Sequence, residues 1–321
     1  MRWGMVVVAV IVISAFAAPE PAYAWGPATH AGLATEVLAH LALLPAGLAA
    51  LLSRRRLAYT YGNIAADVVF AKRLSRVKQF CHHWSTGFRL LDDAADESSK
   101  AFAWGYLSHL AADTVAHGKY VPRQIVLSNL SLNFGHFYWE LRAEAMADER
   151  SVKCLARVLE HDHSQHHRTL RRHMTGTFLT FGWNRMVFDG VNALALQPGL
   201  RRTMDACNRR SQSYLSPLLL EGYRTECVDR IISLLSEGTA SPLLRDDPSG
   251  TSALMRTKVQ QRDRRRLERR GLPMAQRLYE ASKSLAPARH TGLTAVRAAT
   301  VLLDGSDEIE EHAEGDTDVR D

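Results

Sequence analysis

Two short stretches of the chain carry metal-ligand residue types at helical spacing. In SHLAADTVAHG, His109, Asp113 and His117 stand four residues apart, which places all three on one face of a helix, climbing two turns. In GHFYWELRAE, His136 and Glu140 repeat the interval. One such pair is commonplace on a helix surface. Two of them, close in sequence and set among Leu107, Leu110, Ala111, Ala112 and Val115, point to a helical bundle with ligands turned inward. A buried carboxylate with neither a metal nor another partner is costly, which favours metal over bare packing. Nitrogen and carboxylate donors in such number suit a cluster of zinc ions better than a single ion.

Upstream, more donors occur in the same order-dependent way. His30 opens a helical stripe, Asp67 sits in the otherwise apolar YGNIAADVVF, and His82 and His83 are adjacent in FCHHWSTGF. If the segment is helical, at most one of two neighbouring histidines faces the metals, and the other either supports a ligand or lies at the surface. Asp67 alone reads equally well as a capping or structural aspartate.

Positioning these residues requires helices. Alanine, leucine and arginine are abundant, alternating β-branched runs are scarce, and apolar residues recur at three and four. Helices are expected over Ala28–Leu41, from Pro45 towards Arg54–Arg56, and over Thr86–Ala95, Ser99–Ala116, Asn129–Ala147, Val152–Met174, Arg209–Leu235 and Ser252–Arg270. The expected fold is all-α: a multi-helix bundle with a metal cluster between its helices, plus a further helical C-terminal region. The expected division is a signal peptide over 1–24, a helical metal-binding domain over 25–240, a basic helical extension over 241–303 and an acidic disordered tail over 304–321.

The amino terminus reads as a processing signal. Met1-Arg2 precedes an uncharged apolar run from Met5 to Ala18, and Ala22-Tyr23-Ala24 supplies small residues for cleavage. The run is short of the roughly 20 residues that span a bilayer. The mature chain is therefore expected to begin at Trp25 and to be exported, periplasmic or secreted. Cys81, Cys154, Cys207 and Cys227 are compatible with disulfides or with free thiols.

Charge is uneven along the chain. Arg256–Arg270 holds eight basic and two acidic residues, a surplus of six that equals the +6 of the whole chain. Such a run is either a solvated helix face or a contact for phospholipid or nucleic-acid phosphates. Residues 304–321 hold nine acids and few apolar groups, too little to offset ordering entropy. A second histidine group, His161, His163, His166 and His167, reads as an exposed polar helix face.

Taken in order, Trp25, His30, Asp67, His82 or His83, His109-x-x-x-Asp113, His117 and His136-x-x-x-Glu140 resemble the zinc-dependent phospholipase C and P1/S1-type nuclease superfamily. The chain looks most like a divergent bacterial phospholipase C/D-like branch. The resemblance implies as many as three zinc ions. In it the freed α-amino group and carbonyl of Trp25 join His30 on one ion, Asp67, His82 and His109 hold another, and Asp113 bridges the two. His117, His136 and Glu140 hold the third. The Trp-to-His gap matches the nuclease branch, the His-x-x-x-Glu the phospholipase branch, and His117 follows Asp113 more closely than is usual.

The implied activity is phosphoric ester hydrolysis, for which zinc lowers the pKa of bound water towards 7 and paired ions stabilise attacking and leaving oxygens. Asp67 is the catalytic candidate, as acceptor of a proton from the attacking water. The implied partners are phospholipid head groups or a membrane surface, with nucleic acid or nucleotides as the alternative. A non-catalytic zinc-binding interaction protein is the third reading. Phe80, Trp84, Phe134, Phe137, Tyr138 and Trp139 flank the ligand segments, where they fit core packing or a pocket for acyl chains or bases.

Overall fold

Helix starts in this chain are written plainly in sequence. Pro27, Pro198 and Pro217 occupy first-turn positions, where the missing N–H costs nothing. Asp96, Ser131, Asp148 and Thr180 each accept a hydrogen bond from the backbone N–H three residues on. A computed structural model describes residues 25–68, 80–128, 130–173, 180–211 and 214–268, without the side chains of 80 and 264–268.

The described residues are helical and contain no strand. The helices are α1 (Pro27–Ala39), α2 (Ala46–Arg54), α3 (Arg56–Ala65), α4 (Trp84–Asp92), α5 (Glu97–Val115), α6 (Val121–Ser128) and α7 (Leu132–Ala145). After these come α8 (Glu149–Leu159), α9 (Ser164–His173), α10 (Phe181–Ala195), α11 (Pro198–Arg210), α12 (Pro217–Glu237) and α13 (Thr251–Glu268). Tight 3-10 turns at Ala66–Val68 and Phe80–His82 and a π turn at Ala116–Tyr120 interrupt the regular elements.

At the centre lies α5, buried along nearly its whole circumference, with the polar His109 and Asp113 among its buried residues. It packs most extensively on α3 and also on α12 and α4, while α1 packs on α3 and α8. Gly62 and Gly105 meet at the α3–α5 crossing, where a side chain on either would overlap backbone of the other helix. Tyr59, Tyr61, Phe102 and Tyr106 fill the space around that crossing.

The structure departs from the sequence expectations in several places. The single helix expected over Val152–Met174 is two helices, because Asp162 Oδ1 accepts from Ser164 N and starts α9 afresh. Helices α3, α6, α10 and α11 were not expected. The histidines in and just before α9 do not form an exposed polar face: His163 and His166 are buried, stacked on Tyr61 and Phe102 respectively. All four cysteines are free thiols. The expected signal peptide and acidic tail lie outside the described residues.

Candidate metal centre

Six elements deliver the donors. α1 carries His30, the turn ending α3 carries Asp67, the Phe80–His82 turn carries His82, α5 carries His109 and Asp113, and α7 carries His136 and Glu140. His117 does not continue the α-helix that holds Asp113, as the spacing suggested, but lies in the π turn Ala116–Tyr120. Single-turn π insertions of this kind often mark functional sites, since they re-aim one side chain without breaking the helix. All eight side chains are buried.

Asp113 is the hub. Its Oδ2 lies 3.0 Å from His82 Nε2, 3.1 Å from His109 Nε2 and 3.8 Å from His117 Nε2, and its Oδ1 lies 3.5 Å from His30 Nε2. Asp67 Oδ1 stands 3.2 Å from His82 Nε2, and Glu140 Oε1 stands 2.6 Å from His136 Nε2. Donor atoms within 4.8 Å of one another form four overlapping groups: His30, His109 and Asp113; Asp67, His82 and His109; His82, Asp113 and His117; and His117, His136 and Glu140.

These contacts are close but poorly aligned for hydrogen bonding. Among the described residues, both Asp113 oxygens and both His30 ring nitrogens lack a hydrogen-bond partner. Leaving such groups buried and unsatisfied costs several kcal/mol unless something else meets them. A cation does so. Two imidazole nitrogens facing each other, His82 Nε2 and His109 Nε2 at 3.3 Å, would likewise be reconciled by a shared cation.

The protonation states suit ligation. Burial works against the Asp113 carboxylate, yet His109, His30 and His82 together hold it well below the usual carboxylate range. Burial, reinforced by His109, pushes His30 below its ordinary value and so towards neutral imidazole. A charged carboxylate and neutral imidazoles are the forms that bind zinc.

Supporting groups fix the ligands. Asn63 O accepts from His109 Nδ1 at 2.8 Å, which leaves Nε2 aimed at Asp113, the outer-shell arrangement expected of ligating histidines. Tyr106 donates to Cys81 O and so pins the turn carrying His82. Glu144 accepts from Ala28 N, Thr29 N and Thr29 Oγ1 and thereby caps α1 just ahead of His30. Burial raises the Glu144 carboxyl above its ordinary value against these three donors. Gly26 must lack a side chain here, since a Cβ would collide with the Glu144 carboxyl group.

Sequence reasoning missed Glu144 and Asn63. Glu144 had a signal, for it continues the four-residue interval of His136 and Glu140. Asn63 acts through its backbone and had none.

His82 and His83 separate cleanly. His82 is buried in the cluster, whereas His83 is exposed, its backbone extended ahead of α4 and its Nδ1 3.2 Å from Ser85 Oγ. His83 is therefore not brought to the site, which corrects its candidacy as a ligand. Trp25 is fully buried before α1, its ring stacked on Tyr120 at 4.7 Å. Trp84 and Trp139 are buried too, and the Trp84 indole donates to Asp246 O at 2.9 Å.

Later sequence also packs against the cluster. Arg230 of α12 donates to Thr114 Oγ1 and pairs with Asp246, and Gly250, at positive φ, packs directly on His117. A side chain at Gly250 would overlap His117, and its φ of 64° favours glycine on its own account.

The family model for zinc-dependent phospholipase C matches residues 29–181, and the match supports assigning the chain to the zinc-dependent phospholipase C family. The matched span takes in every cluster residue from His30 to Glu140. Neither a curated protein nor a solved structure matches the chain.

Proposed function

We propose that this chain is an exported zinc-dependent phosphoric ester hydrolase acting on phospholipids, phospholipase C-like in its reaction. The observation that carries the reading is Asp113: a fully buried carboxylate with four imidazoles around it and, among the described residues, no hydrogen bond to either oxygen. His30 and Asp113 would hold one zinc ion, joined by the carbonyl of Trp25 and by its α-amino group once cleavage frees that amine. Asp67, His82 and His109 would hold a second ion that shares Asp113. His117, His136 and Glu140 would hold a third. Bound zinc supplies Lewis acidity at a phosphoryl oxygen and activates water near neutral pH.

The protein's own residues do the rest. Asp67 sits at the edge of the cluster and retains slight exposure, 6 %, where Asp113 has none. That exposure supports Asp67 as the carboxylate that takes a proton from an attacking water. Asn63 O holds His109 in the tautomer whose Nε2 is free to ligate. Glu144 holds the start of α1, and with it His30, against α7.

A phospholipid is favoured over a nucleotide because Trp84 and Trp139, which neighbour candidate ligands in sequence, are not offered for base stacking. Trp139 is fully buried, and Trp84 is fixed by its bond to Asp246. No helix among the described residues is long and apolar enough to cross a membrane. The expected cleavable leader accounts for export.

The test is a parallel assay of zinc-loaded protein on short-chain phosphatidylcholine, phosphatidylinositol and single-stranded DNA. Release of a phosphorylated head group from lipid, abolished in Asp67→Asn, supports the reading. Cleavage of DNA alone would transfer the site to nuclease chemistry. Turnover of none, at full zinc content, would leave a non-catalytic zinc protein.

A further inference from the structure

Beyond the metal cluster, α13 presents a surface whose composition calls for a partner. Its inner face is settled: Ala253, Thr257 and Gln261 are buried, four residues apart, and Gln261 Nε2 donates to Leu130 O at 2.6 Å and Ile125 O at 3.4 Å. This anchoring on α6 and the start of α7 fixes what the helix turns outward. Met255 is 60 % exposed and Val259 47 %, one turn apart on that outer face. Arg256, Lys258 and Arg262 flank them, all exposed, with Asp263 the one acid among the exposed positions of 251–263. The sequence continues basic through Arg264, Arg265, Arg266, Arg269 and Arg270.

We infer that the outer face of α13 docks the protein on an anionic phospholipid surface. Aliphatic side chains bracketed by cations are what an interfacial helix uses: the cations meet lipid phosphates while the aliphatic groups enter the acyl boundary. Nucleic acid would be served by the cations alone and gains nothing from an exposed Met255 and Val259. The position of the helix adds weight. Its first residue follows Gly250, which packs on His117, so the docking face begins where the metal cluster is covered. The face lies outside the span that matches the family, 29–181.

The inference rests on the phospholipid reading of the metal site, and the experiment separates the two. The full chain is mixed with vesicles of phosphatidylcholine alone or with phosphatidylglycerol, and binding is read by co-sedimentation at low and high salt. The same protein is assayed on a water-soluble phosphorylcholine ester, which needs the metal site but no surface. Binding at least about tenfold tighter to the anionic vesicles, weakened by salt, is expected. The Arg256→Glu/Lys258→Glu pair should abolish that preference. Met255→Ser/Val259→Ser should weaken vesicle binding severalfold while leaving turnover of the soluble ester unchanged.

Equal binding to both vesicles, or binding indifferent to both double variants, would overturn the docking role even if the soluble ester is cleaved. Vesicle binding with no cleavage of the ester would retain the docking role and remove the hydrolase. Binding of single-stranded DNA that Arg256→Glu/Lys258→Glu abolishes, without vesicle binding, would assign the face to nucleic acid. A dimer that Met255→Ser/Val259→Ser dissociates, again without vesicle binding, would assign it to a second copy of this chain.

Discussion

Gly62 of α3 and Gly105 of α5 lie against each other, and a Cβ on either would come within 3.0 Å of the other's Cα and closer still to a backbone carbonyl. The approach is functional as well as structural. It lets Asn63, next to Gly62, present its carbonyl to the His109 ring one turn beyond Gly105. Gly105→Ala should therefore force the helices apart, costing about 1–3 kcal/mol by overpacking. It should also lower zinc affinity, because His109 loses its orienting bond. Thermal unfolding with and without zinc checks both; an unchanged zinc-dependent increment would detach this crossing from the site.

Glu144 offers a second test of the scaffold. Glu144→Ala leaves the N–H groups of Ala28 and Thr29 buried without their acceptor, a loss of about 1–3 kcal/mol. Because α1 carries His30, zinc content should fall along with the unfolding midpoint. Glu144→Gln keeps an acceptor and should be milder in both. Full zinc retention by Glu144→Ala would show that the cap serves the helix alone.

The clustering of these residues was legible in sequence because a helix converts a four-residue interval into one face, so His109, Asp113, His136 and Glu140 declared themselves. Asp67 and His82 were legible only through their order in the chain. The π turn that redirects His117 leaves no trace in residue types. Neither does the partnership of Gly62 with Gly105, which depends on which two helices cross. The histidines in and just before α9 misled for a similar reason: their polarity suggested solvent, but Tyr61 and Phe102 supply flat partners from elsewhere in the fold. The pair α10 and α11 was missed although Pro198 marked a helix start.

Those α9 histidines predict acid sensitivity. Burial, then His163, brings His166 down from 6.5 to about 4, and burial, then Arg185, does the same for His167. Both are thus neutral in the fold where the unfolded chain would be protonated. Stability from this source is complete above pH 6.5 and is lost as pH falls towards 4. His166→Phe, which retains the stack on Phe102, should lose less stability than the wild type between neutral pH and pH 5. Urea midpoints at the two pH values decide it, and parallel losses would contradict the assignment.

Within the adjacent pair, His82→Ala should lose zinc and activity, while His83→Ala should keep both, since His83 points to solvent. Equal effects on zinc content would mean that the turn rearranges around the ions.

A chain that keeps a tag ahead of Trp25 should hold less zinc than one beginning at Trp25, because an amide nitrogen cannot replace a free amine as ligand. Equal content in the two forms would remove the terminal-ligand role from Trp25 and leave His30 to act with Asp113.

The central claim is a zinc cluster organised by Asp113. Elemental mass spectrometry on exported protein beginning at Trp25, with Asp113→Asn beside it, tests this most directly. The account predicts about two to three zinc ions per chain and the loss of more than one in the variant. One zinc or none in protein never exposed to chelator, or an undiminished count in Asp113→Asn, would contradict it.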